Sequence, residues 1–142
     1  MTETESEAPL TATGGCLCGA VRYALSGKLR GVYNCHCSQC RRSHGHLGAY
    51  CAVSHDRFAL TEARGLKWYE SSAIARRGFC MECGSSLFWE PAERDHMAIA
   101  AGTVDEPSGL TTLGHIFTDH KGDYYTIDDD LARWPDNKPE DG

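Results

Sequence analysis

Seven of the eight cysteines in this 142-residue chain fall in close-spaced sets. They are Cys16-Leu17-Cys18, Cys35-His36-Cys37-Ser38-Gln39-Cys40, and Cys80-Met81-Glu82-Cys83 followed by Gly84. Two cysteines separated by one residue on a strand point to the same face, so Cys16 with Cys18, and Cys35 with Cys37, can each present two thiolates to one ion. A CxxC before glycine is a tight turn whose amides can point at the sulfurs, one half of a tetrahedral thiolate site. Cys80 and Cys83 have no pair beside them. Joining them to Cys16 and Cys18 makes a closed, structural four-thiolate zinc site that staples the start of the chain to its later half. Cys35, Cys37 and Cys40 are then left as a three-thiolate cluster with an open fourth position, the feature that separates catalytic from structural zinc. Zinc is expected at both sites, two ions per chain, in preference to iron–sulfur or copper, because thiolate sites of this spacing are most often tetrahedral zinc.

Other residues carry weaker signals. His44 follows Cys40 by four residues, so on a turn of helix it either completes the second site or faces solvent. His36, between two ligand cysteines on a strand, is expected to face away from the metal. Arg41, Arg42, Arg76 and Arg77 are candidate counter-charges for the thiolates, the alternative being solvated surface. Cys51, in the apolar run AYCAVS, reads as a small core residue. Trp68, Tyr69, Phe79, Phe88 and Trp89 read as core and sheet-face packing. No GxSxG, phosphate-cradling glycine loop or HExxH occurs, which leaves serine-hydrolase, P-loop and zincin chemistry without a motif.

The elements that must position these side chains belong to one domain, since the length leaves no room for a second module. With 41% hydrophobic and 24% charged residues the composition is ordinary globular. Alternating β-branched and aromatic residues predict strands near 19–26, 30–36, 47–54, 57–60, 66–71, 75–80, 85–90, 96–102 and 113–118. Helix is expected only over 38–44 and 128–133, so the fold class is mainly β, built from antiparallel sheets. Residues 1–12 and 135–142 read as disordered acidic or polar tails around a domain at 13–134. The net charge of −6 sits at these ends. Residues 10–127 hold twelve basic against eleven acidic side chains, with no basic stripe for phosphates, so nucleic-acid binding is not expected. No apolar run approaches the roughly 18 residues of a membrane span, and the acidic start is unlike a secretory signal; a cytoplasmic protein without membrane association is expected.

The segments GGCLCGAVRY at 14–23, CHCSQCRRSHG at 35–45 and GFCMECGSSLFW at 78–89 together resemble the glutathione-dependent formaldehyde-activating enzyme family, which includes the centromere protein V domain, over about Gly14 to Trp134. The resemblance implies a single-domain β-tent with two zinc ions, one on the positions matching Cys16, Cys18, Cys80 and Cys83, the other on Cys35, Cys37 and Cys40. It also implies the family's reaction, addition of glutathione to formaldehyde to give S-(hydroxymethyl)glutathione, classed with the carbon–sulfur lyases. The sequence departs at His44 and His46, where small residues are usual, and over DHKGDYYTIDDD at 119–130, which matches loosely.

On this basis the chain is expected to act on an aldehyde adduct of glutathione or another small thiol. Cys35, Cys37 and Cys40 would form the catalytic zinc site, and Arg41 or Arg42 would pair with a substrate carboxylate. The alternative is a non-catalytic module in which both metals are structural and His44 or Cys51 completes the second site. A third reading makes Cys35, Cys37 and Cys40 a redox switch that closes a disulfide when zinc leaves.

Overall fold

The computed structural model describes residues 10–139. It contains eleven strands: β1 (Leu10–Gly15), β2 (Arg22–Ser26), β3 (Arg30–Cys35), β4 (Gly48–Val53), β5 (Phe58–Glu62), β6 (Leu66–Tyr69), β7 (Ala75–Cys80), β8 (Ser86–Pro91), β9 (Met97–Ala100), β10 (Thr112–Ile116) and β11 (Ala132–Arg133). One short helix, α1, spans Ser38–His44. All nine expected strands are present, and α1 has the bounds expected from the sequence.

The strands form two sheets. A three-stranded sheet has the order β1-β2-β5, and an eight-stranded sheet has the order β11-β10-β3-β4-β9-β8-β7-β6. Pairing is antiparallel except that β10 runs parallel to both β3 and β11. The reason lies in the connection after β9. A one-turn 3-10 helix at Ala101–Thr103 leads the chain past the small sheet, where Val104 bridges Gly14 and the Asp105 amide donates to the Thr13 carbonyl. The chain then re-enters the large sheet beyond β3, with β4 and β3 between the strand it left and the one it enters.

The core lies between the sheets. In β2 the sequence RYALS alternates, turning Tyr23 and Leu25 inward. The Tyr23 ring meets Phe88 of β8 edge-on at 5.5 Å, and Phe58 at the start of β5 meets Phe88 edge-on at 5.2 Å. Such edge contacts suit the positive rim and negative face of aromatic rings. β9, covered on both sides, is buried at every residue. Cys51 is fully buried, and its thiol donates to the Ile99 carbonyl, as a core residue would.

Three expectations need correction. Leu10, Thr11 and Ala12 are not tail: they open β1 and pair with β2, a role hidden by the polar, weakly patterned run LTATGG; residues 1–9 lie outside the described residues. Residues 128–133 are not helix. Asp129 caps a turn by accepting from the Leu131 amide, and Ala132–Arg133 then pair with β10. At the other end the carbonyls of Pro135 and Asp136 accept from Asp119 and Phe117, so the expected tail begins inside the fold; residues 140–142 lie outside the described residues. No helix among the described residues is long and apolar enough to cross a membrane.

Candidate metal centres and the cavity between them

The first cysteine set is assembled from two knuckles. After β1 the chain turns back on itself, the Cys16 amide donating to the Val21 carbonyl while the Val21 amide donates to the Cys16 sulfur at 3.2 Å. Residues 19–21, expected to begin a strand, belong to this turn. The second knuckle closes at the end of β7 through the Gly84 amide on the Cys80 carbonyl, and Gly84 sits at φ +84°, a conformation that glycine alone adopts without strain. Leu17 donates its amide to the Ser85 hydroxyl, joining the two. Cys16, Cys18, Cys80 and Cys83 thereby bring one sulfur each within 4.8 Å of all the others. The Cys16–Cys18 and Cys18–Cys80 sulfur separations are 3.8 and 3.7 Å, far outside the roughly 2.05 Å of a disulfide.

The second set lies where β3 passes into α1. Cys35 ends β3, paired with Gly48 of β4 and Ile116 of β10. Cys37 caps α1, its sulfur accepting from the Cys40 amide at 3.3 Å, and Cys40 is buried on the helix's inner face. Their three sulfurs also lie within 4.8 Å of one another. Gly48 leaves the room they need: a Cβ there would stand 2.9 Å from the Cys40 sulfur and 2.8 Å from the Tyr50 ring.

Both donor sets fit a thiophilic cation. Crowded thiols do not ionise together, because each thiolate opposes the next. In the second set, hydrogen bonds from Cys35 and then Cys40 hold Cys37 down at about 2, while hydrogen bonding to Cys37 and Cys40 and burial push Cys35 far up. In the first set the Ser85 hydroxyl and amide lower Cys83 to about 5; Cys18, despite the Ala20 amide, is pushed to about 12 by burial and its thiol neighbours. A divalent cation removes that conflict and lets all the sulfurs bind as thiolates.

Arg77 of β7 is the basic side chain that reaches this chemistry. Its guanidinium donates to the Cys40 sulfur at 3.7 Å, to the Tyr50 hydroxyl at 3.1 Å and to the Ser43 hydroxyl at 3.3 Å. Tyr50 in turn meets His44 Nε2 at 2.6 Å. Arg76 instead pairs with Glu90 and stacks on Trp68. Arg42 is exposed, while Arg41 is half-buried with its Nε unpartnered among the described residues, as is the Nε of Arg77. His44 is therefore neither solvent-facing nor grouped with the cysteines: burial and then the Arg77 charge lower its pKa, and its Nε2 is taken by Tyr50. His36 turns away from the sulfurs as expected.

A cavity of about 260 Å³ opens between the two sets, bounded by Gly84 of the second knuckle, by Ser43, His44, Tyr50 and Arg77 around Cys40, and by Tyr69, Phe79 and Phe88. Tyr69, expected in the packing, is 64% exposed and faces this space. Tyr50 and the specific role of Arg77 had no signal in the sequence, since both depend on β4 and β7 flanking the helix.

Comparison with known proteins agrees with this architecture. A family model described as glutathione-dependent formaldehyde-activating enzyme matches residues 11–120. The fold is similar to the crystal structure of a Rhodobacter sphaeroides protein, with 20% identity and a TM-score of 0.60 over 72% of this chain and 98% of that one.

Proposed function

The chain belongs to the glutathione-dependent formaldehyde-activating enzyme family, and from that premise we propose that it makes or breaks the carbon–sulfur bond of an adduct between glutathione, or a similar small thiol, and an aldehyde. In the forward direction the thiol S–H adds across the carbonyl: the S–C bond forms, the C=O π bond breaks, and the thiol proton ends on the carbonyl oxygen. The reverse reaction restores thiol and aldehyde. The observation that carries this reading is the three-cysteine cluster with Arg77 against its Cys40 sulfur, Arg77 also lining the neighbouring cavity.

Cys35, Cys37 and Cys40 would hold a zinc ion, and Cys16, Cys18, Cys80 and Cys83 a second, structural one. When bound at the three-cysteine cluster, zinc supplies the positive charge that lowers a thiol pKa or polarises a carbonyl oxygen. The protein's own side chains do the rest. Arg77 offsets the thiolate charge and orients Tyr50, whose ring and hydroxyl wall the cavity. Tyr69, Phe79 and Phe88 provide an apolar side that excludes water. Arg41 and Arg42, on consecutive positions of α1, are the proposed partners of a substrate carboxylate, Arg42 from its exposed position.

The test is calorimetric titration of glutathione into zinc-loaded protein beside a Cys37→Ser variant, followed by exchange of labelled formaldehyde into the adduct. Binding that disappears in the variant, with exchange faster than in buffer, is expected. Absence of glutathione binding in both proteins, or equal exchange rates in both, overturns the proposal.

A further inference from the structure

The proposed reaction leaves unused two buried histidines beside the second cysteine set. His36 separates Cys35 from Cys37 and is 1% exposed, yet both its ring nitrogens have partners. Nε2 meets His115 Nδ1 of β10 at 2.9 Å, and Nδ1 meets the Tyr125 hydroxyl. His115 is itself buried, and its Nε2 lies 2.9 Å from the Asp129 carboxylate. A carboxylate only accepts, so with one proton on each ring the series runs in one direction. His115 Nε2–H donates to Asp129, His36 Nε2–H donates to His115 Nδ1, and the Tyr125 hydroxyl donates to His36 Nδ1. Each ring nitrogen then has a partner.

Tyr125 belongs to a segment laid across the loop that carries the cysteines. Its ring stacks on His36 at 5.6 Å and meets His46 edge-on at 4.7 Å. The neighbouring Tyr124 hydroxyl bonds His46 Nδ1 at 2.7 Å, and Lys121 Nζ donates to the Tyr125 carbonyl at 2.7 Å. Gly122 packs against the Arg41 side chain of α1. The family model ends at residue 120, so Tyr125 and Asp129 lie outside the matched residues.

We propose that Asp129, His115, His36 and Tyr125 form a clamp that positions the three-cysteine cluster for metal. Only one residue joins Cys35 to Cys37, so the backbone angles of that residue set the separation of their sulfurs. Holding the His36 ring from β10 on one side and from the 121–129 segment on the other holds those angles. Cys37 also caps α1, so the same anchorage keeps the helix, and Cys40 with it, against β3. The four are positioning residues, and the segment beyond the family match governs how firmly the second metal is kept. This inference rests on the proposed zinc site at Cys35, Cys37 and Cys40.

The experiment uses the full-length, zinc-loaded chain, titrated with a competing chelator while released zinc is counted. Partners that orient metal ligands typically contribute about 10–100-fold to affinity. In Tyr125→Phe, Asp129→Ala and His115→Leu, one zinc should leave at a chelator concentration about tenfold lower than in the parent, while the other stays at its parental value. Tyr125→Phe and Asp129→Ala alter only the two ends of the series, so they remain informative if His115→Leu does not fold. His115→Asn, whose amide oxygen can stand where Nδ1 stands, should recover most of the loss. Cobalt substitution should show the altered thiolate-to-metal absorption of a single cluster, and ring nitrogen NMR should find His36 and His115 protonated at Nε2. Folded Tyr125→Phe and Asp129→Ala proteins that keep both zincs within twofold of the parent overturn the clamp, as does an Nδ1-protonated His36. A parent that binds one zinc only overturns the proposed site on which the clamp depends.

Discussion

Replacing Gly48 with alanine adds one carbon at the point where the second cysteine set is most crowded. The new Cβ would stand 2.8 Å from Tyr50 Cε2, 2.9 Å from the Cys40 sulfur and 3.1 Å from His44 Cδ2. None of these can withdraw freely. The Tyr50 ring is tied at its hydroxyl by Arg77 and His44, and Cys40 is buried on a helix anchored through Cys37. Overpacking of this kind costs about 1–3 kcal/mol. Loss of glycine's unfolded-state freedom returns about 0.4–1 kcal/mol, because Gly48 is in a strand that alanine can also adopt. The net expectation is a loss of about 1–2 kcal/mol, which for a domain of this size lowers Tm by about 3–8 °C. Because Gly48 is paired with Cys35, the strain falls on the cluster itself, and zinc should leave that site first. Urea denaturation of the zinc-loaded protein, with zinc counted in parallel, measures both effects. A Gly48→Ala protein as stable as the parent, holding both zincs as tightly, would refute the argument that this glycine is there for space.

Two further outcomes follow from the same structure. Cys80→Ser should remove one zinc and leave the chain without a cooperative unfolding transition. Structural zinc contributes about 10–16 kcal/mol in small domains, against a total stability of about 5–15 kcal/mol; circular dichroism on denaturation of parent and variant checks this, and a sharp parental transition in the variant would contradict it. The Arg22 side chain, and after it the Thr13 hydroxyl, hold the Asp105 carboxyl below its ordinary range, in a pair that fastens the crossover after β9 to the small sheet. A depressed carboxyl contributes stability above its unfolded pKa and loses it as pH falls through the folded one. Asp105→Asn should therefore lower stability at pH 7 by at most about 1 kcal/mol, since the pair is partly exposed, and the gap should close as pH falls through the depressed Asp105 pKa. Urea midpoints of both proteins at pH 7 and stepwise into the acid range provide the measurement, and a gap that does not change with pH would sink the assignment.

How much of this was legible beforehand depended on the range of the interaction that decides it. The cysteine sets, the nine patterned strands and the bounds of α1 follow from contacts within a few residues: a CxC on a strand, a CxxC before glycine, alternation along a pleat. β1 has no local signature because LTATGG has no apolar alternation, and its place is decided by pairing with β2. The segment 119–130 is unlike the family pattern in sequence, and nothing local in it shows its task. Tyr125 finds His36 across 89 residues and Asp129 meets a histidine of β10 that nothing local links to it.

The sequence alone determined which groups are available and how each local arm is shaped: seven thiols in pairs and a triplet, with the turns that aim them. The tertiary structure decided which arms converge and what surrounds them. It placed Arg77, Tyr50 and the cavity beside Cys40, and set the His36–His115 pairing through the parallel register of β3 and β10. Spacing along a chain constrains directions over one turn or one pleat. Partners drawn from opposite ends of the chain are selected by strand order and register, which emerge only when the whole core is packed.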